Sequence, residues 1–304
     1  MISRSEKSEQ LIAEWKEEEK QKKRKKILKF FLIFWLSFLL LGLLLLGYMR
    51  FIGTKGLVVR EYTIKSDKLP NSFHGFKILH FSDLHYLSTI HKSDLAKIIT
   101  TVNRLKPDII VFTGDLTDTS VNITSQDRND MIELLKKMKA TTGKYAIKGN
   151  HDYDNDIFEQ VCKQSDFKIL NNTYDLIYYY DHTPLLITGI GSSIKGDSDI
   201  GSSFSYSEQD SLYTISLLHE PDILDEILLT HKVDLALAGH SHNGQIRLPG
   251  KGALFTIKNA RKYPNSYYKV ENTHLYVSGG LGTSQYPLRF WNRPSINFYR
   301  LKVR

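Results

Sequence analysis

Asp83 and His85 stand two residues apart, and so do His240 and His242. Between the two pairs along the chain come Asp115, Asn150, His151, Asp152 and His219. This mixture of carboxylate, amide and imidazole suits divalent Mn, Fe or Zn better than Ca. The chain has one cysteine, which excludes an intramolecular disulfide and any Cys-rich zinc or iron–sulfur site. Seven candidate ligands, Asp83, His85, Asp115, Asn150, His219, His240 and His242, exceed what one tetrahedral site uses, so the set implies two ions. Two ions about 3.5–4 Å apart need a shared ligand. Asp115, the lone carboxylate between the two clusters, is the natural bridge. Two dications against Asp83 and Asp115 leave about two positive charges, a remainder suited to a phosphate ester. Such a pair acidifies a shared water to hydroxide near neutral pH and polarises the phosphoryl oxygens. His151 is not needed as a ligand beside Asn150. It is expected to protonate the leaving oxygen, with Asp152 orienting its imidazole.

Each of these groups follows an apolar run. Lys77–Phe81 leads into Asp83 and His85, Asp108–Phe112 into Asp115, and Lys144–Ile147 into Asn150 and His151. Thr214–Leu218 ends at His219, and Val233–Ala238 at His240 and His242. Such short runs read as buried strands, as do Leu57–Tyr62, Leu185–Ile190 and His274–Ser278. Helical spacing lies between them in Ser93–Leu105, with Ser93 as N-cap, in Asp130–Ala140 and in Pro221–Thr230. The polar stretches Thr117–Asn129 and Ser192–Ser211 read as surface loops. The alternation predicts an α/β domain with buried parallel strands, whose carboxyl ends are where ligands bind. A glycine precedes each of Asp115, Asn150 and His240, where the chain must turn sharply. His74, His80, His91, His182, His231 and His274 fall outside the pattern and read as surface or hydrogen-bonded core residues.

Taken in order, Ser82-Asp83-Leu84-His85, Gly114-Asp115, Gly149-Asn150-His151-Asp152, His219 and Gly239-His240-Ser241-His242 resemble the pattern of the calcineurin-like metallophosphoesterase superfamily, from about Leu57 to Leu301. Segments 239–249 and 276–296 are similar to its bacterial YkuE/YaeI-type branch, which carries an N-terminal membrane segment. Ser241 stands where that branch commonly has Thr. The resemblance implies a four-layer α/β/β/α sandwich with two mixed sheets. It also implies one ion on Asp83, His85, Asp115 and His242 and another on Asp115, Asn150, His219 and His240. No ligand position departs from the pattern, which counts against a non-catalytic scaffold.

The N-terminal region is a different kind of sequence. Residues 30–49 contain no charge, and as a helix they span about 30 Å, the thickness of a bilayer's hydrocarbon core. Eight Lys or Arg lie between Lys16 and Lys29 and three between Arg50 and Ile64, so the N-terminus is expected in the cytoplasm and the rest outside. Glu18–Lys22 and Glu19–Lys23 sit at i,i+4 spacing, as in a solvated helix leading into the span. The expected organisation is a basic segment over 1–29, a transmembrane helix over 30–49, a linker over 50–56 and a catalytic domain over 57–304. Of the net charge of +8, residues 1–60 carry +7, so the basicity points at a membrane surface more than at nucleic acid.

The expected function is a membrane-anchored phosphohydrolase acting on lipid- or envelope-linked phosphoesters, with no nucleic-acid or obligate protein partner. A UDP-2,3-diacylglucosamine pyrophosphatase-type hydrolase of lipid A biosynthesis is the alternative that the resemblance suggests, followed by a nuclease or phosphodiesterase. Arg289 is a candidate substrate contact, with Phe290 and Trp291 beside it. Lys258, Arg261, Lys262 and Lys269 read as a solvated loop or a headgroup contact. No small-x-small cleavage site follows the apolar run. The protein should therefore sediment with membranes and resist carbonate extraction; a shortened chain in the soluble fraction would contradict a retained anchor.

Overall fold

In the computed structural model, residues 4–154, 156–207 and 209–304 are described, so residues 1–3 of the basic segment lie outside the described residues. The chain divides into two compact units, Met1–Tyr48 and Met49–Arg304. In the first, the charged stretch and the apolar run form one continuous helix, α1 (Arg4–Gly47). Its apolar side chains from Ile27 to Leu46 are all exposed, as in a span whose solvent is lipid. Residues 50–56 are not a free linker. Thr54 is buried and its hydroxyl donates to the Arg50 carbonyl at 2.7 Å, while Gly53 lies directly on the Arg289 carbonyl.

The second unit is built on two sheets. Its strands begin with β1 (Val58–Ser66), β2 (Lys77–Phe81), β3 (Ile109–Phe112), β4 (Gly143–Ala146) and β5 (Lys168–Ile169). They continue with β6 (Thr173–Ile177), β7 (Leu185–Gly189), β8 (Thr214–Leu217), β9 (Leu235–Ala238) and a hairpin of β10 (Arg247–Leu248) and β11 (Gly252–Ala253). The last are β12 (Tyr267–Val270), β13 (Thr273–Val277) and β14 (Ser295–Val303). The sheet orders are β1-β14-β2-β3-β4-β5 and β12-β13-β9-β8-β7-β6. Both sheets are mixed: β2 to β5 run parallel and β14 antiparallel to β2, whereas β13, β9, β8 and β7 run parallel between antiparallel β12 and β6.

Strand periodicity sorts side chains into three cores. On β3, Ile109 and Val111 face the second sheet, where they join Ile187, Ile215, Leu217, Leu235 and Leu237. On the opposite face of the first sheet, Ile110 and Phe112 pack with Leu79 and Phe81 under three helices, α2 (Lys92–Leu105), α3 (Ser125–Lys136) and α4 (Ile157–Gln164). On the far face of the second sheet, Ala236, Ala238 and Val277 pack against the short helices α5 (Ile200–Ser203) and α6 (Leu224–Leu228) through Phe204, Leu224 and Ile227. Helices, sheet, sheet and helices make the four-layer α/β/β/α sandwich.

Local differences from the sequence reading have physical causes. Helix α2 begins one residue before Ser93, and its N-cap is His91, whose amide donates to Asp94 at 3.2 Å. Helix α3 starts at Ser125, capped by Thr124, so it takes in part of the stretch read as a loop and ends before Lys137. The segment read as one helix over Pro221–Thr230 is a 3-10 turn, Pro221–Ile223, followed by α6.

His80 lies in the inter-sheet core, with Nε2 2.9 Å from Thr113 Oγ1 and Nδ1 3.3 Å from Tyr299 Oη. Burial pushes its pKa down from 6.5 to about 3. Between these values the unfolded chain takes up a proton that the folded chain refuses, so folding stability falls as pH drops from 6.5 towards 3. Replacing His80 with Gln should reduce the slope of unfolding free energy against pH by about 1.4 kcal/mol per unit between these limits. Equal slopes for both proteins, followed by near-UV circular dichroism in detergent micelles, would contradict this.

Candidate metal centre

Five strand ends converge at the carboxyl edges of the two sheets. β2, β3 and β4 deliver Asp83 and His85, Asp115, and Asn150 and His151 from the first sheet; β8 and β9 deliver His219, and His240 and His242, from the second. The exit loops are bonded to one another. Asp83 N donates to Gly114 O at 2.9 Å, His85 N to Asp115 O at 3.1 Å, and His240 N to the Asp83 carboxylate at 3.1 Å. Asp83, His85, Asp115, His240 and His242 all have positive φ, between 37° and 64°, a costly backbone for non-glycine residues that the surrounding bonds enforce. Gly149 and Gly239 supply room: a Cβ on Gly149 would overlap Asp115 and His219, and one on Gly239 would overlap Ser82.

The side chains meet in two groups, Asp83 with His85 and His242, and Asp115 with His219 and His240, the ligand atoms of each lying within 4.8 Å of one another. Asp115 Oδ2 reaches towards both, 3.2 Å from His219 Nε2 and 3.6 Å from His85 Nε2, while its Oδ1 accepts from the His151 amide at 2.9 Å. The imidazoles are aimed through their other nitrogens. His219 Nδ1 lies 2.6 Å from the Thr113 carbonyl and His240 Nε2 lies 2.9 Å from the Lys258 carbonyl. Asp118 faces His85 Nδ1 at 3.6 Å and is itself held by the Ser120 amide and hydroxyl.

Among the described residues, Asp83 Oδ2, Asn150 Oδ1 and His219 Nε2 are buried without a hydrogen-bond partner. His85 Nε2 and His242 Nε2 stand 3.2 Å apart, two nitrogens that can share at most one proton. Unsatisfied donors and acceptors at this density cost stability unless a cation takes their lone pairs, so the residues fit divalent metal ions. The electrostatics agree. Burial pushes Asp83 up to about 7 and His85 down to about 4, each towards its neutral form. Burial alone would also neutralise Asp115 and His219, yet their attraction holds Asp115 well below and His219 well above the ordinary range. The single cysteine, Cys162, is buried in the core of α4 and offers the site no thiolate.

Two expectations for this region need correction. Asp152 does not orient His151: its carboxylate accepts from the amides of Asp115 at 2.7 Å, Leu116 at 2.9 Å and Gly149 at 2.9 Å, tying the β3 and β4 exit loops together. Arg289 is not at a substrate surface. It is fully buried, and its guanidinium donates to the carbonyls of Gly279, Gly280, Gly282 and Asn292, bracing the loop behind Asp83 and His242. Trp291 is exposed and does not line the cavity beside the metal groups. Of the four basic residues read as a loop, Lys262 pairs with Asp225 at 2.6 Å and Lys258 borders that cavity. Asp118 was not found by sequence reasoning, since a lone carboxylate in a polar stretch carries no distinguishing signal.

Residues 76–244 match the family described as calcineurin-like phosphoesterase. The chain is 36% identical over 259 residues to the Bacillus subtilis metallophosphoesterase YkuE, covering 84% of this chain and 89% of that one. It is 28% identical over 266 residues to a Danio rerio transmembrane protein with a metallophosphoesterase domain, covering 80% of this chain and 57% of that one. Among solved structures it is similar to the Bacillus subtilis calcineurin-like phosphoesterase YfkN, with a TM-score of 0.42 and 14% identity over 68% of this chain and 82% of that one. The chain belongs to the calcineurin-like phosphoesterase family and is a metal-dependent phosphoester hydrolase. A carboxylate facing a ligand histidine tunes metal affinity. Asp118→Asn should therefore weaken metal binding by about 10–100-fold in a competition titration; unchanged affinity would show that Asp118 plays no such part.

Proposed function

We propose that this member of the family is a membrane-tethered hydrolase that cleaves phosphoesters near a bilayer with a pair of divalent ions. The observation that carries the reading is the convergence of two ligand groups on Asp115, whose Oδ2 lies between His219 and His85. Asp83, His85, Asp115 and His242 would hold one ion, and Asp115, Asn150, His219 and His240 the other. When bound, the ions supply Lewis acidity and a nucleophile at neutral pH. The chain supplies position and a proton. Asp115 is fixed through Oδ1 by the His151 amide, and Asp152 fixes the loops that carry both residues. His151 borders the cavity, and its Nδ1 is buried, which leaves Nε2 as the nitrogen that can protonate a leaving oxygen.

The N-terminal helix supports anchoring, and the excess of Lys and Arg before the apolar run supports a cytoplasmic N-terminus with the catalytic unit outside. Tethering raises the effective concentration of enzyme at the membrane surface, which favours lipid- or envelope-linked substrates. The alternative, hydrolysis of UDP-2,3-diacylglucosamine, requires the opposite side, because that substrate is cytoplasmic. The net charge of +1 beyond residue 60 gives little support to a nuclease.

With Mn present, the protein should hydrolyse a generic aryl phosphate ester, and Asp115→Asn or His240→Ala should abolish turnover. His151→Ala should lower kcat by about 10²–10⁴-fold with metal content unchanged. Retained turnover in both ligand variants would overturn the reading.

A further inference from the structure

The metal groups open into a cavity of about 630 Å³. Beyond the ligands, its wall carries Ile194, Ile246, Phe255, Ile257 and Tyr286. Phe255 is 69% exposed and Tyr286 67%, so two aromatic side chains stand in solvent at the mouth of a hydrolytic site. One polar side chain of the lining, Gln245, is already engaged. The Gln245 amide donates to the carbonyls of Ser284 at 3.3 Å and Tyr286 at 3.0 Å, and its oxygen accepts from the Ser284 amide at 3.2 Å. These bonds hold the Tyr286 loop against the segment of Ile246, which is in turn bridged to Phe290. Among the described lining residues, Lys258 is the one charged side chain outside the metal centre and its acid, His151.

A polyanion such as a nucleic acid or a repeating phosphate polymer needs a row of cations along its path. One lysine beside an apolar wall suits a different substrate, with a single phosphate at the metals and an uncharged, apolar remainder. We propose that this wall is a tail site: the substrate is a phosphate ester whose alcohol part carries an alkyl or fatty-acyl chain, drawn from the bilayer that holds α1. Its chain lies along Ile246, Phe255, Ile257 and Tyr286. The inference rests on the phosphohydrolase reading for the end that holds phosphate, and it narrows the substrate to a lipid. Each methylene moved from water onto such a wall should raise affinity by up to about fourfold.

The test uses the full chain in maltoside micelles with Mn and a series of n-alkylphosphonates from methyl to hexyl, whose binding is measured by calorimetry. Wild-type affinity should rise about two- to fourfold per methylene, by the same transfer scale. In Phe255→Ser/Tyr286→Ser the rise should flatten. Both positions are largely exposed, and Mn stoichiometry reports whether the variant has folded. Equal affinities from methyl to hexyl in the wild type, with Mn-dependent binding of methylphosphonate intact, would overturn the tail site and leave the phosphohydrolase reading standing. A chain-length dependence unchanged in the folded double variant would also overturn it. Failure of methylphosphonate to bind, together with no turnover of aryl phosphate, would remove the phosphohydrolase reading and the tail site with it.

Discussion

Buried nitrogen and oxygen atoms without partners are the constraint on which this structure turns. Asp83 Oδ2, Asn150 Oδ1 and His219 Nε2 have no hydrogen-bond partner, and His85 Nε2 and His242 Nε2, 3.2 Å apart, have one proton at most between them. A shared cation would satisfy such atoms where the fold gathers them out of water. The surrounding bonds serve the same end. Thr113 and Lys258 carbonyls fix two imidazoles, Asp152 binds three loop amides, and buried Arg289 braces the loop behind the site with four carbonyls.

Neither sheet could make the centre alone. The first group takes Asp83 and His85 from one sheet and His242 from the other; the second takes Asp115 from one and His219 and His240 from the other. Each group is therefore a clamp across the inter-sheet core, and the packing of Val111 with Leu217 and Leu237 in that core is a precondition for the chemistry. Ions bound there would stabilise the docking of the two sheets, since the folded arrangement alone presents both halves of each site.

Much of this was legible in the sequence because the parallel strands are short, apolar on both faces and followed at once by polar residues. Runs such as Lys77–Phe81 and the side chains after them could be read without knowing strand order. What could not be read depends on contacts distant in the chain. β14 inserts between β1 and β2 although more than 200 residues separate it from either. Asp152 follows His151 in sequence, yet its carboxylate turns to the loops of β3 and β4. Arg289 reads as a cation near a site, but its burial follows from the loop that wraps it. The positive φ of Asp83, His85, Asp115, His240 and His242 is likewise imposed by the joined loops and has no counterpart in residue type.

The most direct measurement is anomalous diffraction from crystals of the protein grown with manganese. Two peaks are expected, one beside Asp83, His85 and His242 and the other beside His219 and His240, with Asp115 between them. A single peak, or peaks away from these side chains, would contradict this.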